Sequence, residues 1–390
     1  MKIEPSSIHS KMAPLLFLVG IFFLNFLCRI ILSPLMPTVE KDLKVGHDEA
    51  GSLFFMISLG YCIGLLFSGF ISSHLTHRKT ILLSSIAVGG AAIFVSISHH
   101  LWMIRFGLIF VGLAAGFYLP SGIATVTELV RPEHWGKAIA VHEIAPNLAF
   151  VTAPLLTEAL LGVFSWRGVL MLSGMASMVS GAVFLIFGKG GGFPGEAPNV
   201  STLRLVVKEP AFWIMMFLFG LGIGASFAVY TMMPLYLVAE KGIDRTWANT
   251  SIAFSRILTL GSAIVVGWIV DRIGPRKTLM GVFVASGIIT ILLGVVPGGW
   301  IIPTVFLQSI LATAFFPAGF AALARIGSTK IKNVAVSLTV PVGFLLGGGV
   351  IAAGMGIMGK MGSFALGFIL FGGILLLGFL LARSLRLAKE

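Results

Sequence analysis

Charge is what this sequence has least of. Only 11% of its 390 residues are Asp, Glu, Lys or Arg, where a soluble domain carries about a quarter. So few charges cannot coat a water-facing surface, which excludes a soluble globular chain. Cysteine is nearly absent: Cys28 and Cys62 both lie in apolar runs. Two such residues cannot build the disulfide framework of a small secreted domain. No Walker phosphate loop is present, so the chain is not expected to hydrolyse ATP itself. His74, His77, His99 and His100 stand at loop edges without a ligand set, so no metal site is expected. No cofactor is expected. No nucleophile–base set stands out either, so the reading is not an enzyme.

What abounds is hydrocarbon. Apolar residues make up 57% of the chain, and the mean hydropathy is +1.02. A bilayer core of about 30 Å takes roughly 20 apolar residues per helix. Such runs fall at 13–36, 50–73, 79–98, 101–127, 137–161, 167–188, 211–238, 249–270, 277–297, 300–324, 333–358 and 363–383. The expected fold class is an all-α membrane protein with twelve transmembrane helices. The first run is too long for a signal-peptide core, and no small-residue cleavage site follows it, so the N-terminus is expected to stay. The least apolar long connection, 188–210, contains Gly188-Lys189-Gly190-Gly191-Gly192-Phe193-Pro194-Gly195. Gly and Pro there predict a flexible or extended linker. The domains are therefore expected at 1–188 and 211–390, two six-helix bundles joined by a cytoplasmic linker, 189–210.

The net charge of +12 is first a matter of topology, because Lys and Arg collect on the cytoplasmic side. With the N-terminus inside, the outer loops hold only Lys41, Lys44, Arg167, Lys241, Arg245 and Lys360. Most of the 27 basic residues then lie in inner segments and termini. This predicts an N-in/C-in arrangement. The partner of the excess charge is the lipid bilayer, not nucleic acid. Short loops and termini suggest a multi-pass monomer of a prokaryotic cytoplasmic membrane.

The two halves repeat one another at offsets of 197 to 200 residues. Gly69 to Thr80 aligns with Gly267 to Thr278. Pro34-Leu35 and Glu40-Lys41 align with Pro234-Leu235 and Glu240-Lys241. Pro120-Ser121-Gly122 aligns with Pro317-Ala318-Gly319. Three matches in one order indicate a duplicated half. Such a duplication predicts a carrier with its site between the halves near the midplane.

The segment Gly267 to Lys277 resembles the cytoplasmic signature of the major facilitator superfamily, G-x-x-x-D-R-x-G-R-R. It keeps Gly267, Asp271, Arg272, Gly274 and Arg276, with Pro275 in place of one basic residue. In the first-half copy Ser73 replaces the Asp and Thr76 the Gly. Trp166-Arg167 opening the sixth helix and Gly136-Lys137-Ala138 opening the fifth are also similar to the family. The resemblance implies the major facilitator fold and a secondary transporter. It implies a gating or latching role for Gly267, Asp271, Arg272 and Arg276. Independently, a carboxylate and a guanidinium at the inner end of helix eight can pair with neighbouring helix ends. The family's antiporters carry a Gly-Pro-x-x-Gly-Gly motif in helix five. This chain has Ala153-Pro154-Leu155-Leu156-Thr157-Glu158, which counts against a drug-exporting antiporter.

Charges inside hydrocarbon usually face a cavity or a partner. Arg29 lies seven residues before Met36, and Arg256 seven residues after Asn249. Both start about 10 Å below the outer surface. Two arginines facing one cavity repel unless an anion sits between them, and a carboxylate, nitrate or phosphate accepts bidentate bonds from such groups. In the family, such paired arginines resemble the sites of anion carriers. Asn25, Arg29 and Ser33 share one face of helix one, and Asn249, Arg256 and Thr259 share one of helix eight. Tyr230, with Ser226 and Pro234, makes a stripe on helix seven. Its hydroxyl needs a partner when buried. Tyr61, Tyr118 and Gln308 complete the expected substrate lining.

In helix five, Glu143, Asn147, Val151, Pro154 and Glu158 share one helical face, and His142 precedes Glu143. A carboxylate among apolar neighbours can take up and release protons near neutral pH. Glu143 with His142 is the expected proton site. Arg105 of helix four is expected to pair structurally with Glu158. Gly220-Leu221-Gly222-Ile223-Gly224 imitates a dinucleotide loop but sits inside a span, which predicts close helix packing.

The expected function is alternating-access transport of a small anion, foremost an organic carboxylate, in symport with protons. The alternative is a proton-coupled exporter of amphipathic drugs or metabolites, favoured by 32 phenylalanines. A membrane sensor is a further rival, and short loops argue against it.

Overall fold

The computed structural model describes residues 11–197, 206–326, 329–385 and 387. Among them, twelve helices are long and apolar enough to cross a membrane. They are α1 Met12–Leu43, α2 His47–His74, α3 His77–Ile97, α4 Leu101–Leu129, α5 Pro132–Leu161 and α6 Trp166–Phe187. Then come α7 Pro210–Glu240, α8 Arg245–Ile273, α9 Pro275–Val295, α10 Gly298–Leu323, α11 Val334–Lys360 and α12 Phe364–Ser384. Each matches one of the twelve apolar runs. Helices suit such sequence because they satisfy every backbone N–H and C=O internally where no water is available.

The helices pack into two compact units. The first comprises Met1–Leu35 and Met56–Pro198, the second Met36–Phe55 and Asn199–Glu390. The short stretch 36–55 thus packs with residues far along the chain. Within that second unit Lys360 Nζ lies 2.8 Å from Asp48 Oδ2. Glu240 accepts from the Phe364 and Ala365 amides at the start of α12.

The sequence repeat reappears as repeated packing inside each unit. In the first, α3 lies close against α6; in the second, α9 lies against α12. A Cβ on Gly89 would strike the Gly174 carbonyl, and one on Gly287 would come within 2.9 Å of the Gly372 carbonyl. Both contacts are related by the same offset of 198 residues. Missing side chains let the backbones approach where lipid supplies no hydrophobic drive. The glycines of Gly220–Gly224 serve the same end: a Cβ on Gly347 would come within 2.5 Å of the Gly220 carbonyl.

Several spans are interrupted by a single turn residue: Ile31, Phe117, Glu143, Leu258 and Ala314. Pro34, Pro120, Pro146 and Pro317 each follow such a turn by three residues. Proline has no N–H to give the carbonyl four residues back and its ring clashes there, so the helix breaks. In α7 and α11 the interruption is a π-turn, at Gly224–Ala228 and Leu345–Val350, and α7 ends in a second π-turn at Tyr236–Glu240.

The chain after α6 departs from the expected flexible or extended linker. Residues 188–197 are stitched back onto the loop that opens α3. The Arg78 amide donates to Gly191 O at 2.7 Å, the His77 amide to Phe193 O at 3.1 Å, and the Gly195 amide to Ser72 O at 2.9 Å. Gly191 has φ +72, where a side chain is strained, and its Cβ position lies 2.8 Å from the Arg78 amide nitrogen. The glycines here make a tight, docked strap. Linker residues 198–205 lie outside the described residues.

Candidate functional site

In the first unit, Arg29 is 4% exposed. It lies two residues before the turn at Ile31. Its guanidinium carbon is 3.4 Å from the centre of the Tyr61 ring on α2 and 5.2 Å from that of Phe26. A guanidinium over an aromatic face is attracted by the ring quadrupole, more strongly when both are desolvated. Tyr61 is thus the immediate neighbour of Arg29. Asn25 is engaged in packing. Its amide donates to Ser84 Oγ at 3.0 Å, and Ser84 donates on to Ala114 O at 2.7 Å. That chain ties α1 to α3 and α4.

Close by in the same unit is a layered aromatic cluster. Phe22 stacks on His142 at 4.6 Å and on Tyr118 at 5.0 Å. The Tyr118 hydroxyl donates to Leu18 O at 2.8 Å and lies 3.1 Å from His142 Nε2. His142 Nδ1 lies 3.2 Å from Glu143 Oε1. The two are not equally enclosed: the His142 side chain is fully buried, while that of Glu143 is 45% exposed. Glu143 is therefore less enclosed than the helical face predicts. It is the turn residue of α5, broken by Pro146, and the imidazole holds the buried position. Asn147 donates to the Glu143 carbonyl at 3.0 Å, a bond local to the break.

In the second unit, Arg256 of α8 is 2% exposed. It too lies two residues before a turn, at Leu258. Nη1 donates to Ser226 Oγ at 3.3 Å and Nη2 to Ser226 O at 2.9 Å. The guanidinium carbon lies 4.8 Å from the Tyr230 ring centre. Ser226 sits in the π-turn of α7, and such turns are frequent at functional sites. Gln308 of α10 donates to Ala225 O at 2.7 Å in that same turn. Gln308 thus braces the turn that receives Arg256. Asn249 is buried on α8.

The signature residues also separate. Arg276 donates to the Arg383 carbonyl near the end of α12. Arg78, its counterpart in the first-half copy, donates to Leu185 O near the end of α6 at 3.0 Å. The helix-end contact expected of Asp271 and Arg272 falls to Arg276. Arg272 lies 3.9 Å above the Trp268 ring, Asp271 is exposed, and Gly267 has open space around it. Arg105 lies 5.0 Å from the Trp102 ring centre, and both Arg105 and Glu158 are half-buried.

Sequence reasoning missed Phe22, Ser84 and the bracing of the π-turn. A proline three residues past a break was a usable signal for the Glu143 turn. No comparable signal marks the π-turn.

Twelve apolar helices with buried arginines and a duplicated architecture define a multi-pass membrane carrier. The profile of the Major Facilitator Superfamily matches residues 18–305, and the chain belongs to that superfamily as a transporter, not an enzyme. It is 23% identical over 320 residues to the niacin transporter NiaP of Acinetobacter baylyi, covering 70% of each chain. It is 22% identical over 282 residues to a probable nitrate/nitrite transporter, NarK2, of Mycobacterium tuberculosis, again over 70% of each. Its fold is similar to that of a bacterial homologue of the human lysosomal transporter Spinster. The TM-score is 0.84 at 14% identity, over 98% of both chains.

Proposed function

We propose that this protein carries a small organic carboxylate by alternating access, in symport with protons. The carrying observation is Arg256, buried beside Tyr230 and fixed on the α7 π-turn. A desolvated guanidinium presented with an aromatic face suits a planar carboxylate, which takes charge-assisted bonds and ring contact together. Arg29 over Tyr61 repeats the combination in the first unit. Relatives named for niacin and for nitrate support an anionic cargo.

The proton is assigned to His142 and Glu143. Tyr118 gives its proton to Leu18 O, so its oxygen is left to accept from His142 Nε2–H. Nδ1 then faces Glu143 Oε1 at 3.2 Å, and that contact requires one proton. Moving it needs little rearrangement, which suits a coupling site.

In this reading the bundles 1–188 and 211–390, joined by 189–210, are the moving bodies. The protein works as an N-in/C-in monomer in a prokaryotic inner membrane. Gly267, Asp271, Arg272 and Arg276 form the latch, and Arg105 with Glu158 a structural pair. Asn249 lines the substrate path.

The test is uptake of nicotinate, benzoate, nitrate and a cationic dye by proteoliposomes. Wild-type protein is expected to take up the carboxylates, and Arg29→Ala and Arg256→Ala to lose that uptake while keeping a cooperative thermal transition. Uptake at the wild-type rate by both variants removes the arginine site. Transport of the dye alone replaces the anion reading with the exporter.

A further inference from the structure

A cavity of about 290 Å³ opens where α3 begins and α6 ends, lined by Thr76, Arg78, Lys79, Leu82, Phe184, Leu185 and Gly192. Because one span starts there and another stops there, it lies at the level where hydrocarbon gives way to water. Its rim is cationic and its wall is apolar.

The backbone at this corner is already engaged. The His77 and Arg78 amides donate to the strap, and the Lys79 amide donates to Thr76 Oγ1 at 3.3 Å. The first-turn N–H groups are therefore taken, and the side chains are what the cavity offers. Arg78 is held in place by its bond to Leu185 O at 3.0 Å and lies 5.9 Å from the Phe184 ring centre. Lys79 is exposed. The docked strap supplies Gly192 as one wall. The carboxylate of Glu128 accepts from the Gly191 amide at 2.5 Å, and no acidic residue is among those lining the cavity.

From this rim an apolar stripe runs along α3. Lys79, Leu82, Leu83 and Ile86 recur at helical spacing, and Leu83 and Ile86 are each 39% exposed. Across the groove Leu185 is 55% exposed on α6. A soluble anion meets only the rim of this arrangement. A zwitterionic lipid brings its own cation against Arg78 and Lys79. An anionic diacyl lipid matches both parts, and basic pockets between spans at a membrane surface bind such headgroups.

We propose that this pocket binds an anionic phospholipid, its phosphate between Arg78 and Lys79 and an acyl chain along Leu82, Leu83 and Ile86. The lipid bridges α3, α6 and the strap, so its binding stabilises the first unit.

The experiment is thermal unfolding of the whole protein in an uncharged detergent with added phosphatidylglycerol, phosphatidylcholine or glycerol 3-phosphate. A ligand of the folded state raises the transition temperature. Phosphatidylglycerol is expected to raise it by several degrees, and the other two by little. Lys79→Gln is expected to lose most of that rise, and Arg78→Gln with Lys79→Gln all of it. Lys137→Gln, an exposed basic residue elsewhere in the unit, keeps the full rise. Should the double variant be unstable without lipid, the exposed Lys79→Gln variant decides alone. A wild-type rise in Lys79→Gln overturns the site. So does an equal rise with phosphatidylcholine or glycerol 3-phosphate, or an equal loss in Lys137→Gln.

Discussion

Arg276 donates to the backbone carbonyl of Arg383, 107 residues further on. Arg78 makes the same bond to Leu185, also 107 residues further on. The two bonds are one device inherited twice: a guanidinium opening the third helix of a half grips the end of the sixth. Helix C-termini leave carbonyls without intrahelical partners, and a cation there also complements the helix dipole.

Removing that grip is expected to loosen α9 from α12. Arg276→Ala should cost about 0.5–1.5 kcal/mol, the net range for a typical hydrogen bond, read as a lower transition temperature in detergent. Arg276→Lys keeps the charge but not the planar fork and should fall between. No shift in either variant would mean the bond carries no stability.

Under the proposed assignment of the proton to His142 and Glu143, gradient coupling is expected to fail when the carboxyl is replaced. Glu143→Gln cannot release a proton, so uptake driven by an inward pH gradient should drop by about 10²-fold, the lower range for a positioned acid–base group. Substrate counterflow, which needs no net proton movement, should persist. Gradient-driven uptake at the wild-type rate would move the proton elsewhere.

At Tyr230 the ring and the hydroxyl can be told apart. Tyr230→Phe keeps the face that Arg256 meets at 4.8 Å, so affinity should change less than about threefold. Tyr230→Ala removes about 0.5–2 kcal/mol of cation–π attraction and should weaken binding by about two- to thirtyfold. Isothermal titration with a carboxylate ligand measures both. Equal losses would assign the role to the hydroxyl.

Gln308 should behave as a brace. Gln308→Ala leaves the Ala225 carbonyl without that donor, at a cost of about 1–3 kcal/mol for a buried group. Thermal stability should fall while the ranking of substrates stays the same. A changed ranking with unchanged stability would return Gln308 to the substrate lining.

The twelve spans were legible because hydrophobicity is a property of composition, and composition survives without knowledge of contacts. The buried arginines were legible for the same reason: a charge in an apolar run stands out. Their partners were not. That Tyr61 lies against Arg29 depends on how α2 is rotated against α1, a tertiary fact. Asn25 fell on the right helical face, yet Ser84 claimed its amide. Glu143 stands more open than a face drawn at helical spacing suggests, because such a face assumes an unbroken helix and α5 turns at that residue. Pro146 was the warning. The linker misled differently: Gly190, Gly191 and Gly192 read as freedom, while two of them hold positive φ in a docked strap.

The interrupted helices have a consequence for where chemistry can arise in such a chain. A continuous span keeps its polar backbone to itself. At a joint, a carbonyl loses its internal partner, and no water stands ready in hydrocarbon to replace it. In the π-turn of α7, Arg256 and Gln308 donate to the adjacent carbonyls of Ser226 and Ala225. Arg29, Tyr118, Glu143 and Arg256 all stand at or within two residues of a joint. In this protein, buried polarity gathers at the articulation points of the backbone, and the grammar of its joints orders it more than the tally of its charges does.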